Sequence, residues 1–290
     1  MGGGSWTTTS FTNYCSTVRG IDASNISLDG SITKSMSSQE MFKAMHIDDA
    51  LNPYNVVREC VDTEEHPNTI PVILALDVTG SMGKAAVEVA KRLNVVMTNL
   101  YDKVTDVEFM IMGIGDLSCD RAPIQISQFE SDIRIAEQMD KVFFEYGGGG
   151  NLYESYTAAW YMGARHTKLD CWARGKKGII ITMGDERVNP YLPGSRLNSV
   201  TGDNTQTDVE TKSLHIEASE KYDIYHLDVN HGHRWDDGVD ASWRSILDDK
   251  HYKNVTLETI ADTIVDIIVN ASESIVNETT SLNNNGEICW

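Results

Sequence analysis

Residues 70–83 read IPVILALDVTGSMG, and this stretch decides the fold. From Ile70 to Val78 it is a near-continuous apolar run, broken only by Asp77. The run is far short of the about 20 residues a membrane-spanning helix needs. It also lacks the apolar–polar alternation of a strand with one wet face. Such a run suits a strand covered by helices on both faces. Three more stretches have the same character: VEFMIMGIGD (107–116), KGIIITMGD (177–185) and YDIYHLDVN (222–230). PIQISQF (123–129) alternates and predicts a shorter edge strand, and a last strand is expected near NVTLE (254–258).

Helical patterns fall between the strands. Lys84 to Tyr101 carries Val87, Ala90, Leu93, Val96 and Leu100 at three- and four-residue steps, the spacing of an amphipathic helix. Further helices are expected over Leu152–His166 and Thr207–Tyr222, and over the C-terminal stretch marked by Ile260, Ile264, Ile268 and Ile275. Strands alternating with helices predict an α/β fold with a mostly parallel sheet. Ligands of such sheets gather at the carboxyl ends of the strands.

Residues 1–69 read as an N-terminal arm and linker with one short helix. Residues 1–36 are rich in Gly, Ser, Thr and Asn with few aliphatics, as in an extended arm. Ser37 and Glu40 have capping-box spacing ahead of Met41, Phe42, Ala44 and Met45, which predicts the helix. Asn52-Pro53 stops it, and Asp62 to His66, followed by Pro67, reads as a linker. The main domain is expected over 70–279, with a tail over 280–290.

Among the 290 residues, 43 are acidic and 24 basic, a formal net charge of -19. Such a surface repels nucleic acid and anionic membranes, whose binding depends on neutralising phosphate with Lys and Arg. The acidity serves either solubility or the binding of cations or a basic partner surface. The five cysteines are far apart and form no C-x-x-C pair, which excludes a zinc ribbon or redox motif and suits a reducing compartment. The opening MGGGSW has no basic region followed by an apolar stretch, so a cytoplasmic setting is expected. It also departs from the myristoylation pattern at Trp6.

The residues just past the apolar strands carry the chemistry. The first strand ends in Asp77-Val78-Thr79-Gly80-Ser81, the second in Gly115-Asp116, and the run 177–185 in Gly184-Asp185, with Glu186 next. Gly147 to Gly150 and Asn151 precede a helix. Asp77, Thr79 and Ser81, spaced by two, offer one carboxylate and two hydroxyls. Hard cations such as Mg2+ take oxygen ligands of this kind. Gly80 and Gly83 permit a tight path. The plainer readings are that Asp77 and Thr79 cap the following helix, that the Gly run is a flexible loop, and that Asp116 is either an acceptor behind the ligands or an ordinary loop residue.

These residues resemble the metal-ion-dependent adhesion site of von Willebrand factor A domains, whose first motif, D-x-[ST]-x-S, here reads DVTGS. The resemblance covers about residues 70–279, with its motifs in the expected order. It extends through EHPN, GIGD, GGGGN and MGDE to a little-characterised bacterial and phage group of A-domain proteins. It implies a Rossmann-like fold: a mostly parallel central sheet with one short antiparallel edge strand and helices on both faces. By the same resemblance Asp77, Thr79 and Ser81 match the first motif and Asp185 the later aspartate. The family's middle ligand is usually a Thr in a GGT-like loop. Here the loop reads GGGGN, which makes Asn151 the first replacement candidate and Glu154 the second. The implied cofactor is one Mg2+ or Mn2+, gripped partly by neutral hydroxyls and left electrophilic. A Glu or Asp of a protein partner then completes its coordination. Bacterial A-domain proteins often work beside MoxR-type AAA+ ATPases, which implies such an ATPase as a partner.

The rival class is a metal-dependent hydrolase using Asp77, Asp116, Asp185, Glu186 and a histidine loop to activate water. The two hydroxyls of the first motif favour binding, and the sequence contains no G-x-S-x-G, P-loop or C-x-x-C motif. His226, Asp228, His231, His233, Asp236 and Asp237 crowd the end of one strand and offer either zinc ligands or a polar turn, with no complete ligand spacing. Tyr153, Tyr156, Trp160 and Tyr161 are expected in the core.

Overall fold

The computed structural model describes residues 4–146, 153–230 and 238–283. Six strands build the central sheet: β1 (Ile70–Asp77), β2 (Val107–Ile114), β3 (Ile124–Ile126), β4 (Gly178–Gly184), β5 (Tyr222–Val229) and β6 (Tyr252–Val255). Their order is β6-β5-β4-β1-β2-β3. Neighbours run parallel, except that β3 pairs antiparallel with β2 at the edge. This is the Rossmann-like α/β arrangement expected, antiparallel edge strand included. β1 lies at the middle of the sheet, which explains its unbroken apolar run.

Helices α1 (Thr8–Thr17), α2 (Gly83–Tyr101), α3 (Ala158–Arg165), α4 (Thr211–Ser219), α5 (Gly238–Arg244) and α6 (Ile260–Asn283) pack around the sheet. Successive strand side chains point to opposite faces. Val72, Leu74 and Leu76 therefore face α2 and α6 in one apolar cluster. Ile73 and Ala75 face the helices α3, α4 and α5 in a second cluster. Among the described residues no helix is long and apolar enough to cross a membrane. Cys15, Cys60, Cys119 and Cys171 are free thiols.

The N-terminal segment is not an extended arm. Thr7 caps α1 by accepting a hydrogen bond from Ser10 N, and α1 buries Phe11, Tyr14 and Cys15. These residues join the apolar cluster of α2. Trp6 Nε1 donates to Asn94 Oδ1 at 2.9 Å. The Arg19 guanidinium donates to both oxygens of Asp140, at 2.8 and 2.7 Å. Low aliphatic content hid this packing because the anchors are single aromatics and one arginine. The short helix is present as Ser38–Met41, with the expected Ser37–Glu40 capping box.

The expected linker is also folded. Arg58–Cys60 pairs in parallel with Thr167–Leu169, and Asp62 Oδ1 accepts from both the N–H and the hydroxyl of Thr69. Two expected helices start later than their sequence patterns suggest. Tyr153–Glu154 pairs with Arg187–Val188, which delays α3 to Ala158. Val209–Glu210 pairs with Tyr191–Leu192, which delays α4 to Thr211. In both places backbone pairing with a distant segment overrides the local periodicity.

Candidate metal centre

The register sets the site. Leu76 stands opposite Met183, Asp77 opposite Ile114, and Gly184 opposite Asp228. Asp77 and the Gly184–Asp185 turn therefore leave the carboxyl edge of the sheet on adjacent strands.

Asp77 is wholly buried. Its Oδ1 accepts from Thr79 N at 2.8 Å and from Thr79 Oγ1 at 2.5 Å, a local turn of the kind Asp favours. Its Oδ2 accepts from the Tyr156 hydroxyl at 2.7 Å. Thr79 Oγ1 lies 3.3 Å from Ser81 Oγ, which donates to Asp185 Oδ1 at 3.2 Å. One continuous run of polar contacts thus joins Tyr156, Asp77, Thr79, Ser81 and Asp185. The capping alternative does not hold: the Asp77 and Thr79 side chains bond within their own turn and to Ser81 and Tyr156, while the N-cap position of α2 is Met82.

Glu154 is nine-tenths buried, and among the described residues its Oε2 has no hydrogen-bond partner. Burial, then the charges of Asp77, Asp120, Asp116 and Glu186, push its acid up to about 10. Burial and then Asp185 push the Asp77 acid up, against the hydrogen bonds from Thr79 and Tyr156 that favour its ionised form. Desolvation and like charge both penalise crowded carboxylates. A bound cation relieves both effects.

The donors fit a small hard ion. The hydroxyls of Thr79 and Ser81 and the carboxylates of Asp77 and Asp185 form an all-oxygen set. Among the described residues no group of three or more His, Cys, Asp or Glu is placed to hold a metal.

Asn151, with Gly147 to Gly150, lies outside the described residues, as do His231, His233, Asp236 and Asp237. Asp116 organises its own turn: its Oδ1 accepts from Ser118 N and its Oδ2 from Cys119 Sγ. His226 is a core residue. Its ring stacks on Trp243 at 3.5 Å, its Nδ1 meets Thr182 Oγ1 at 2.8 Å, and burial holds its pKa far below the ordinary histidine range. Asp228 accepts from the Tyr252 hydroxyl at 2.6 Å.

Sequence reasoning placed Tyr156 in the core and missed its hydroxyl. The available signal was that a buried tyrosine needs a partner for its O–H. Gly184 also escaped notice: a Cβ there would fall 2.1 Å from the Tyr156 hydroxyl oxygen.

No family model matches the chain, and no curated protein matches it. Among solved structures it is similar to the pilus adhesin of Lactobacillus rhamnosus GG in its open conformation. That match has TM-score 0.47 and 11% identity, covering 74% of this chain and 31% of the adhesin. The chain thus spans about a third of that adhesin's length. It is also similar to the vWF domain of a type V pilus tip protein from Porphyromonas gingivalis, with TM-score 0.41 and 11% identity, covering 72% of this chain and 96% of that domain. A third match is the proximal thread matrix protein of the mussel byssus, with TM-score 0.44 and 10% identity, covering 70% of this chain and 48% of that one.

Proposed function

We propose that this chain is a von Willebrand factor A-type binding module that grips a protein partner through one divalent cation, Mg2+ or Mn2+, at the carboxyl edge of its sheet. The observation that carries the reading is the contact run Asp77–Thr79–Ser81–Asp185. Thr79 and Ser81 would hold the ion through their hydroxyls, with Asp77 and Asp185 supplying charge. Glu154 would add the buried carboxyl oxygen that has no partner among the described residues, and Asn151 is the further candidate. When bound, the ion supplies a coordination position that a Glu or Asp of the partner fills. A MoxR-type AAA+ ATPase in the cytoplasm is the partner class put forward. Nucleic acid and membranes are not, given the net charge of -19.

Binding is preferred to metal-dependent hydrolysis for two reasons. Asp116 is committed to its own turn, and His226 is sealed in the core against Trp243. Two groups that a hydrolytic reading would recruit are therefore engaged elsewhere.

The test is affinity capture by the wild-type chain in Mg2+, by the wild-type chain in EDTA, and by Asp77→Ala in Mg2+. A protein retained only in the first arm supports the reading. A protein retained equally in all three, or in none, overturns it.

A further inference from the structure

Tyr156 is wholly buried on the turn that leads into α3. Its ring packs against His226 at 5.2 Å and Trp243 at 5.6 Å between ring centroids. Those contacts need only the ring, and phenylalanine would supply it. The hydroxyl does something else: it donates to Asp77 Oδ2 at 2.7 Å and accepts from Glu186 N at 3.3 Å. Its two partners come from different strands, Asp77 from the end of β1 and Glu186 from the turn after β4. Two features are fitted around this oxygen. Gly184 leaves the space that a Cβ would take, 2.1 Å from it. Asp77 keeps its other oxygen on Thr79, so the phenol meets the oxygen that Thr79 leaves free.

We infer that Tyr156 is a positioning residue of the proposed metal centre, its hydroxyl tying Asp77 to the Asp185–Glu186 turn so that the two halves of the donor set stay in register. The inference rests on the proposed metal binding. Groups that hydrogen-bond to metal ligands from behind typically change metal affinity about 10–100-fold when removed. Tyr156→Phe keeps the packing and deletes only this tie.

The experiment is Mn2+ titration followed by electron paramagnetic resonance, with thermal melts in EDTA alongside. The samples are the wild type, Tyr156→Phe and Trp160→Phe. Trp160 is an equally buried neighbour on α3 whose indole N–H has no hydrogen-bond partner among the described residues. Its substitution therefore reports general damage to this side of the core. The expected result is one Mn2+ bound by the wild type and about tenfold or greater weakening in Tyr156→Phe. The saturated Tyr156→Phe spectrum should also differ in line shape. Trp160→Phe should melt lower yet keep the wild-type affinity and line shape. Wild-type affinity and line shape in Tyr156→Phe overturn the inference and leave the metal reading standing. Equal loss in Trp160→Phe also overturns it, since Tyr156 would then be merely structural. No Mn2+ binding by the wild type overturns the metal reading itself, and this inference with it.

Discussion

Asp77→Asn should make the metal-free protein more stable at pH 8 and no more stable at pH 4. Burial, and then the charge of Asp185, push the Asp77 acid from its ordinary 3.8 up to about 7. Between those values the folded chain holds a proton that the unfolded chain has lost. Stability therefore falls as pH rises through that window. At about 1.4 kcal/mol per pH unit the full loss above pH 7 is roughly 4 kcal/mol. Asparagine keeps the shape and cannot ionise. Its Oδ1 can still accept from Thr79, but its amide now faces the Tyr156 hydroxyl, which must turn its own proton elsewhere. That rearrangement costs about 1 kcal/mol. The net gain at pH 8 is about 3 kcal/mol, worth roughly 5–10 °C in melting temperature for a chain of this size. At pH 4, close to the unfolded value, most of the gain is gone, and the cost of about 1 kcal/mol outweighs what remains. Calorimetric melts in EDTA at pH 4, 6 and 8 read the difference directly. A gap between variant and wild type that does not widen with pH, or a variant less stable at pH 8, refutes the reasoning.

Glu154→Gln should likewise stabilise the metal-free protein at pH 8, because its acid is raised from 4.5 to about 10 by burial and neighbouring charge. The same change should weaken Mn2+ binding, and melts paired with calorimetric titration check both signs. Leu74→Ala, inside the buried run of β1, should cost roughly 2–5 kcal/mol in denaturant unfolding, with or without metal. Asp140→Ala should cost about 3–5 kcal/mol by leaving the buried Arg19 guanidinium without its ion pair. A loss under about 1 kcal/mol in urea unfolding would mean that the N-terminal segment is only loosely attached.

The parts of the fold legible in the sequence were those with local causes. The runs at 70–78, 107–116, 177–185 and 222–230 are apolar on both faces because helices cover both faces, and that pattern needs no distant information. The spacing of Asp77, Thr79 and Ser81 was legible for the same reason: the Asp77–Thr79 turn is closed within three residues. What escaped depends on partners far away in the chain. Trp6 meets Asn94 across 88 positions, and Arg19 meets Asp140 across 121. No period in residues 1–36 announces either contact. The late starts of α3 and α4 have the same origin, since the strand pairing at 153–154 and 209–210 is set by residues 187–188 and 191–192. Tyr156 was legible as core but not as the residue that grips Asp77, because its ring explains its burial and only its hydroxyl carries the second role.

The most direct test of the central claim is an anomalous-scattering map from crystals grown with Mn2+. One manganese peak is expected at the carboxyl edge of the sheet, bounded by Asp77, Thr79, Ser81 and Asp185. No peak there, or a pair of peaks bridged by the carboxylates as a two-metal hydrolase would require, contradicts it.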